Sequence, residues 1–450
     1  MATAAPAAKR VARVMDADAW FGVRARPTRT TRMASKWTAD ANAATCLRLV
    51  GAPPPADRVF HPDFTYPIFG DAESIFGYTG LEIGLAFAAG SLTPALSVSY
   101  ERKNTLTSAT LDDVEGTLRA FLPRDVLTHE QLAARAAAEA HSFVPPGTPV
   151  ASYTKNVRGA PREYTIFHAT WDTPGFRAWH AAARILTLFY IEGASYIDDD
   201  EPNWEFYLVY EHTDAWHFVG YTSLYRFWCW PHSVRLRLSQ FLVLPPYQKQ
   251  GHGSRLYSTL FDRALADPAI CELAVEDPSE AFDHLRDACD LHRIAHDPAI
   301  RAAARAGLLR APLDRAWSAA TRRTLKMAPR QWARVLEMLQ LTTLAHADAP
   351  QLRAYRLQVK ARLFRVNREI LEQLPRSQRL EKLHETFLAV VDEYAEITGA
   401  ELPDALLDAP PPSTDSAAEL PPAALHFATA LIDHGADGDG DEDQASYFGE

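Results

Sequence analysis

Residues 240–253 read Gln-Phe-Leu-Val-Leu-Pro-Pro-Tyr-Gln-Lys-Gln-Gly-His-Gly. Phe241 to Leu244 is an apolar run, as a strand buried on both faces requires. Pro245-Pro246 cannot continue a hydrogen-bonded ladder, so the strand ends there. Gly251 and Gly253 let consecutive backbone N–H groups converge, and Leu256, Leu260 and Ala264 then recur at helical spacing. Strand, glycine turn and helix N-terminus together make a cradle for an anion such as a pyrophosphate. No Gly-Lys-Ser/Thr follows and the three-glycine dinucleotide spacing is absent, so a P-loop and a dinucleotide fingerprint are both excluded. Two glycines would equally serve a plain tight turn. His252 has no second metal ligand nearby, so no metal is expected.

A second strand, Leu273-Ala-Val275, runs into Glu276-Asp277-Pro278-Ser279-Glu280. Asp277 as N-cap, Pro278 in the first helical position and Glu280 beyond form a capping arrangement. Capping leaves Glu276 unexplained, at the carboxyl edge of the strand where α/β sheets place ligands. Acyl transfer to an amine would employ it. A lysine ammonium, with pKa near 10.4, must lose a proton before it attacks a thioester. A carboxylate is a weak base unless burial or a like charge raises its pKa, and Asp277 and Glu192 are candidates to supply that charge. The strand Phe241–Val243 offers backbone groups that could pair with the amides of a pantetheine arm. A phosphate cradle facing such a carboxylate is the minimum for moving an acyl group off coenzyme A.

Outward from these segments, the chain of 450 residues is too long for one simple core. Residues 151–300 alternate strands and helices, which predicts an α/β sheet domain. A helix is expected from Phe176 to near Glu192. Phe206, Leu208 and Tyr210 alternate as a half-buried strand should, and Phe218 to Trp230 reads as a very aromatic one. Val234, Leu236 and Leu238 alternate with Arg235 and Arg237 before the apolar run, which predicts a strand passing from an exposed edge to a buried centre. Residues 36–150 read as a mixed α/β domain. Residues 301–400 read as helical, with Leu352, Tyr355, Val359, Leu363, Val366 and Ile370 on one face and Arg353, Arg356, Lys360 and Arg368 opposite.

Residues 1–35 read as a flexible basic arm and 401–450 as a disordered acidic tail. The tail holds twelve Asp or Glu and no Lys or Arg, so the net charge of −11 leaves −11 + 12 = +1 for everything before it. Asp437-Gly-Asp-Gly-Asp-Glu-Asp fails as a calcium loop because Glu442 stands where glycine is needed. Cys46, Cys229, Cys271 and Cys289 are widely spaced, which argues against zinc and disulfides and for a reducing compartment. Neither a membrane-spanning run nor a secretory leader is expected.

Ser239 through Gly253 with Val275-Glu-Asp-Pro-Ser resembles the type B histone acetyltransferase catalytic subunits, of the GNAT acyl-CoA superfamily. Three further segments carry the resemblance: Phe69-Gly-Asp-Ala-Glu with Phe76-Gly-Tyr, Phe189-Tyr-Ile-Glu-Gly-Ala-Ser-Tyr-Ile-Asp, and Asp277 through Leu285-Arg-Asp. It runs from about Lys36 to Ile397 and covers neither tail. It implies a GNAT core flanked by an N-terminal mixed domain on the substrate side and a C-terminal helical domain. It also implies acetyl-CoA as co-substrate and lysines near the N-terminus of free, newly made histone H-four as acceptors, with histone H-three as its companion. A WD-repeat histone-binding subunit is the implied partner; neither direct nucleic-acid nor membrane binding is expected, and the compartment would be cytoplasm and nucleus.

By the same resemblance, Glu276 is the general base, with Glu192 and Asp277 as nearby carboxylates. Phe241, Leu242, Val243, Gln248, Lys249, Gln250, Gly251, His252, Gly253, Ser254 and Ser279 would line the cofactor. Asp71, Glu73, Trp204, Tyr225, Arg226 and Phe227 would hold the histone tail. Lys249 stands in place of a common glycine, Ala288 in place of a basic residue, and Trp228-Cys229-Trp230 is heavier than the family's tyrosine-rich stretch. A GNAT enzyme for a small amine and a non-catalytic histone carrier are the competing readings.

Overall fold

The computed structural model describes residues 36–105 and 110–407. The basic arm and residues 408–450 lie outside the described residues; within the expected tail, Asp404–Leu407 forms a helical turn. The chain divides into two compact units. Among the described residues, one comprises 36–294 together with Arg315–Arg334; the other comprises Ala295–Asp314 and 335–407.

In the first unit, strands β1 (Thr38–Asp40), β2 (Thr45–Val50), β3 (Ser74–Phe76), β4 (Tyr78–Thr79), β5 (Glu82–Ala88), β6 (Pro94–Ser99) and β7 (Arg102–Lys103) form small sheets. β2, β5 and β6 make one, and β1–β3 and β4–β7 are paired ribbons. The remaining strands of this unit build a six-stranded sheet in the order β13-β12-β11-β10-β9-β8. They are β8 (Thr148–Val157), β9 (Ala160–Thr170), β10 (Trp204–His212), β11 (Trp216–Cys229), β12 (Ser233–Val243) and β13 (Ile270–Val275). Every pairing in it is antiparallel except β12 with β13. Phe218 N donates to Ala89 O at 2.7 Å and Tyr210 Oη to Gly90 O at 2.9 Å, which ties the N-terminal strands to the large sheet.

β10 is not half-buried as its alternation predicts: Glu205 through Glu211 are all buried. On one side Phe206 meets Phe176 and Trp171, with ring centroids 4.6 and 4.7 Å away. On the other, the Tyr207 hydroxyl accepts from Arg263 Nε at 3.1 Å, from the helix His252–Ala266. Helices cover both faces, so the residues between the expected core positions are buried too.

The reading of β12 is reversed. Val234 through Leu238 lies between β11 and β13, whereas beyond Leu238 only β11 pairs with it. The strand passes from a paired centre to an open edge. Arg235 and Arg237 give the first half the look of an edge, but they pair with carboxylates: Arg235 reaches Glu272 at 3.2 Å and Arg237 reaches Glu276 at 3.2 Å. At the transition the β11 ladder steps from Ser223↔Gln240 to Leu224↔Leu238, so Ser239 is a bulge.

The second unit is helical. Leu352, Tyr355, Val359 and Leu363 of helix Ala349–Val366 are buried as their spacing predicts, while Val366 at its end is exposed. Buried Glu337 is satisfied by Arg362 Nε and Nη2, each at 2.8 Å, and by the Tyr394 hydroxyl at 2.9 Å. The supposed cationic face is partly internal: Arg356 Nη2 donates to Ala405 O at 2.8 Å, and Lys360 is half-buried.

Candidate active site

After Val243 the chain makes a 3-10 turn at Pro245–Tyr247, and the helix begins at His252 with Gly251 as N-cap. Lys249 and Gly251 both have left-handed backbones, φ +57° and +80°. Alternating such conformations turns successive N–H groups toward one point, next to the positive end of a helix. Lys249 carries a strain of roughly 1 kcal/mol there that glycine would not. A Cβ on Gly253 would lie 2.7 Å from Leu285 Cδ1, so glycine lets this helix approach the next, Glu280–His296.

The loop's side chains brace it. Gln248 Nε2 donates to Val243 O and Gln250 Nε2 to Pro246 O, each at 2.9 Å. His252 is buried, with Nδ1 2.8 Å from the Tyr153 hydroxyl. Burial, helped by Lys155, pushes its pKa down to about 4, so the ring is neutral near pH 7. What Gln248, Lys249, Gln250, Gly251, His252, Gly253 and Ser254 offer an anion is main-chain N–H, with the side chains of Gln248, Gln250 and His252 already engaged. The turn before them is pinned from below: Tyr247 Oη donates to buried Glu211 Oε2 at 3.0 Å, and Arg162 holds Glu211 Oε1 at 2.6 Å.

Where β12 and β13 separate, Glu276 N still donates to Leu238 O at 2.9 Å, and the Glu276 side chain stands in the fork. Ser239 Oγ donates to its Oε2 at 2.5 Å, and Arg237 Nη2 lies 3.2 Å from Oε1. The partners are thus a hydroxyl and a guanidinium, where the sequence suggested a second carboxylate. Asp277 is exposed, with φ +31°, outside the extended backbone an N-cap adopts. Ser279 caps the helix instead, its Oγ accepting from Phe282 N at 3.3 Å. Phe241 packs edge-on against Phe282 at 4.9 Å beside the open edge of Leu242 and Val243.

Glu192 is exposed on the loop that follows Tyr190. Gln240 Nε2 donates to Ser195 O in that loop at 3.0 Å, and Gln240 Oε1 accepts from Tyr221 Oη. Adjacent residues of β12 therefore hold Glu276 and the loop of Glu192.

An aromatic row leads to the fork. Trp204 meets Tyr225 at 5.0 Å, Tyr225 meets Phe227 at 4.5 Å, and the Arg237 guanidinium lies 4.5 Å from the Phe227 ring centre. Arg226, between Tyr225 and Phe227 in a strand, points to the other face and pairs with Glu205 at 3.6 Å and Asp267 at 3.7 Å. Asp71 is exposed. Glu73 Oε1 accepts from Thr65 N at 2.7 Å and Tyr66 N at 3.2 Å, a clasp within its own segment. Sequence reasoning missed Arg237, Ser239, Gln240 and Glu211. The one available signal was the matching alternation of arginines in β12 with Glu272 and Glu276 in and after β13. Among the described residues no cluster of three His, Cys, Asp or Glu is arranged to hold a metal ion.

Three family models match the chain: the histone acetyl transferase HAT1 N-terminus over residues 37–192, the GNAT acetyltransferase family over 165–285, and the fungal HAT1 C-terminal region over 287–345. The histone acetyltransferase type B catalytic subunit of Mycosarcoma maydis is 46% identical over 410 residues, covering 84% of this chain and 92% of its own. That of Cryptococcus neoformans is 41% identical over 408 residues, covering 81% and 98%. That of Schizosaccharomyces pombe is 34% identical over 387 residues, covering 83% and 96%. Among solved structures, an aminoglycoside acetyltransferase from a soil metagenome covers 30% of this chain and 88% of its own at 18% identity, with a TM-score of 0.20. A GNAT domain implies acetyl-CoA as acyl donor, which suits the cradle and the open strand edge. With an acetyltransferase domain across its large sheet and such relatives along most of its length, the chain belongs to the type B histone acetyltransferase catalytic subunits.

Proposed function

We propose that this chain transfers acetyl from acetyl-CoA directly to lysine side chains in the N-terminal tail of free, newly synthesised histone H-four. Acetyl-CoA supplies the activated acetyl group. The backbone N–H groups of Gln248 to Ser254 would hold its pyrophosphate, and the open edge at Phe241–Val243 its pantetheine arm. Glu276 is the general base: its carboxylate takes a proton from the lysine ammonium, and the neutral amine then attacks. The observation that carries this is the placement of Glu276 in the fork, fixed by Ser239 at 2.5 Å, at the end of the row Trp204, Tyr225, Phe227. Arg237 already brings one cation over an aromatic ring to that carboxylate, as a lysine would have to come.

Histone H-three in company with H-four, a WD-repeat histone-binding subunit, and residence in both cytoplasm and nucleus complete the proposal. Residues 36–150 lie on the substrate side in it, with Asp71 and Glu73 as acidic contacts for a basic tail. The test is mass spectrometry of a free histone pool incubated with acetyl-CoA and this chain. Acetyl on lysines near the H-four N-terminus is the expected result. Preference for polyamines over the histone peptide in single-turnover competition would overturn it. Glu276→Gln should lower kcat by about 10²–10⁴, with partial recovery at high pH, where more free amine is present. A wild-type rate across pH would remove Glu276 from its role.

A further inference from the structure

Lys360 and His384 face each other across the helical unit. Lys360 lies on helix Ala349–Val366 and His384 on helix Arg376–Thr398, and the Lys360 Nζ is 3.2 Å from His384 Nδ1. The ammonium also lies over the Phe387 ring, 5.5 Å from its centre, and the His384 ring stacks on Phe387 at 6.5 Å. An ammonium has no acceptor, so here it donates and the imidazole accepts. An amine within hydrogen-bond reach of a neutral imidazole is a nucleophile paired with its base.

The surroundings disfavour the charged forms of both. Desolvation and then Arg356 push the Lys360 pKa down to about 8. Desolvation, Lys360 and Arg356 lower that of His384, with Glu385 opposing. About a tenth of Lys360 is therefore the free amine at pH 7, against roughly four parts in ten thousand for an ordinary lysine. Arg353 is exposed one helical turn from Arg356. Together these guanidinium groups favour the approach of an anionic donor over a neutral one.

We propose that Lys360 is a self-acylation site, taking acyl groups from acyl-CoA thioesters with His384 as the proton acceptor. Nδ1 of His384 takes a proton from the Lys360 ammonium. The freed lone pair attacks the thioester carbonyl carbon, a C–N bond forms and the C–S bond breaks. The attacking nitrogen releases its second proton to water, and the departing thiolate recovers the first from the imidazolium. The balance is ammonium plus thioester giving amide, thiol and one proton, with no oxidant or metal. This site is independent of the role given to Glu276.

The test uses the full chain, isotope-labelled acetyl-CoA, and peptide mass spectrometry across pH 6.5–9. Lys382, with 36% of its side chain exposed and paired with Glu385 at 2.8 Å, is the internal reference. Lys360 should be acetylated at least tenfold faster than Lys382 at pH 7. Its rate should level off above about pH 8. His384→Ala should slow Lys360 labelling several-fold, and Glu276→Gln should leave it unchanged. Labelling no faster than at Lys382 would overturn the proposal. So would its loss in Glu276→Gln, which would make the acetyl-transfer site the agent. The pH profile of the unaltered chain decides the matter even if His384→Ala does not fold.

Discussion

The guanidinium of Arg237 lies 3.2 Å from the carboxylate of Glu276 and rests on the ring of Phe227. A cation is therefore resident at the carboxylate that the proposed chemistry assigns to an incoming lysine. Two cations cannot share one carboxylate oxygen without mutual repulsion, so substrate entry must displace Arg237 or leave it only the other oxygen. Arg237→Gln should lower KM for the histone peptide several-fold and change kcat less. Steady-state kinetics at fixed saturating acetyl-CoA would measure this; a raised KM would mean that Arg237 helps to hold the peptide instead.

The left-handed loop positions give opposite predictions for two neighbouring substitutions. Lys249→Gly removes the steric cost at φ +57° and should be neutral or stabilising by up to about 1 kcal/mol. Gly251→Ala introduces that cost at φ +80° and places a Cβ 2.8 Å from Lys155 Nζ. It should lower stability by roughly 1 kcal/mol and raise KM for acetyl-CoA. Thermal melts and acetyl-CoA titrations would separate the two.

Glu211 is a structural charge with consequences at a distance. It is fully buried, paired to Arg162, and bonded to Tyr247 in the turn before the loop. Glu211→Gln leaves Arg162 without its counter-charge and should cost about 3 kcal/mol in urea unfolding. Because Tyr247 pins the turn, KM for acetyl-CoA should rise by more than kcat falls. Unchanged stability would mean that Arg162 is satisfied by Pro54 O, its 3.0 Å acceptor, and by water.

Asp290 provides a pH signature in the first unit. It accepts from the Tyr257 hydroxyl at 3.0 Å and from Gln331 Nε2 at 3.0 Å, with Arg286 at 3.8 Å. Burial outweighs the arginine and pushes its pKa up to about 6. The folded chain then holds a proton that the unfolded chain releases, so this contribution to stability falls as pH rises from about 4 to about 6 and is constant above. Relative to Asp290→Asn, the native chain should lose at most about 1.4 kcal/mol per pH unit across that window. Chemical denaturation of both forms between pH 4 and 8 would show it. A difference independent of pH would place the Asp290 pKa outside the window.

The legible features were those whose chemistry is local. The apolar run at Phe241, the proline stop and the glycine turn each act on their own neighbours, and strand, 3-10 turn and helix follow in that order. The pairing that defines the fork is not local: Ser239 and Glu276 are 37 residues apart, and nothing in the spelling of either segment joins them. Arg237 was misread for the same reason, since a charged residue in a strand looks solvent-facing until its partner strand is known. Asp277 was misread because the Asp-Pro pattern of a cap is shared by a left-handed turn. In β10, burial of both faces by helices from elsewhere in the chain erased the meaning of alternation.

The bulge at Ser239 makes this part of the chain intolerant of length changes. Deleting Ser239 would restore an unbroken ladder with β11, Ser223 still opposite Gln240 and Leu224 still opposite Leu238, but the hydroxyl that holds Glu276 would go with it. Deleting Leu236 instead would draw Arg235 into its buried place, putting a guanidinium group into the core. Homologous chains should therefore accept insertions in the β11–β12 hairpin turn more readily than between Ser233 and Val243, whatever residues they substitute within it.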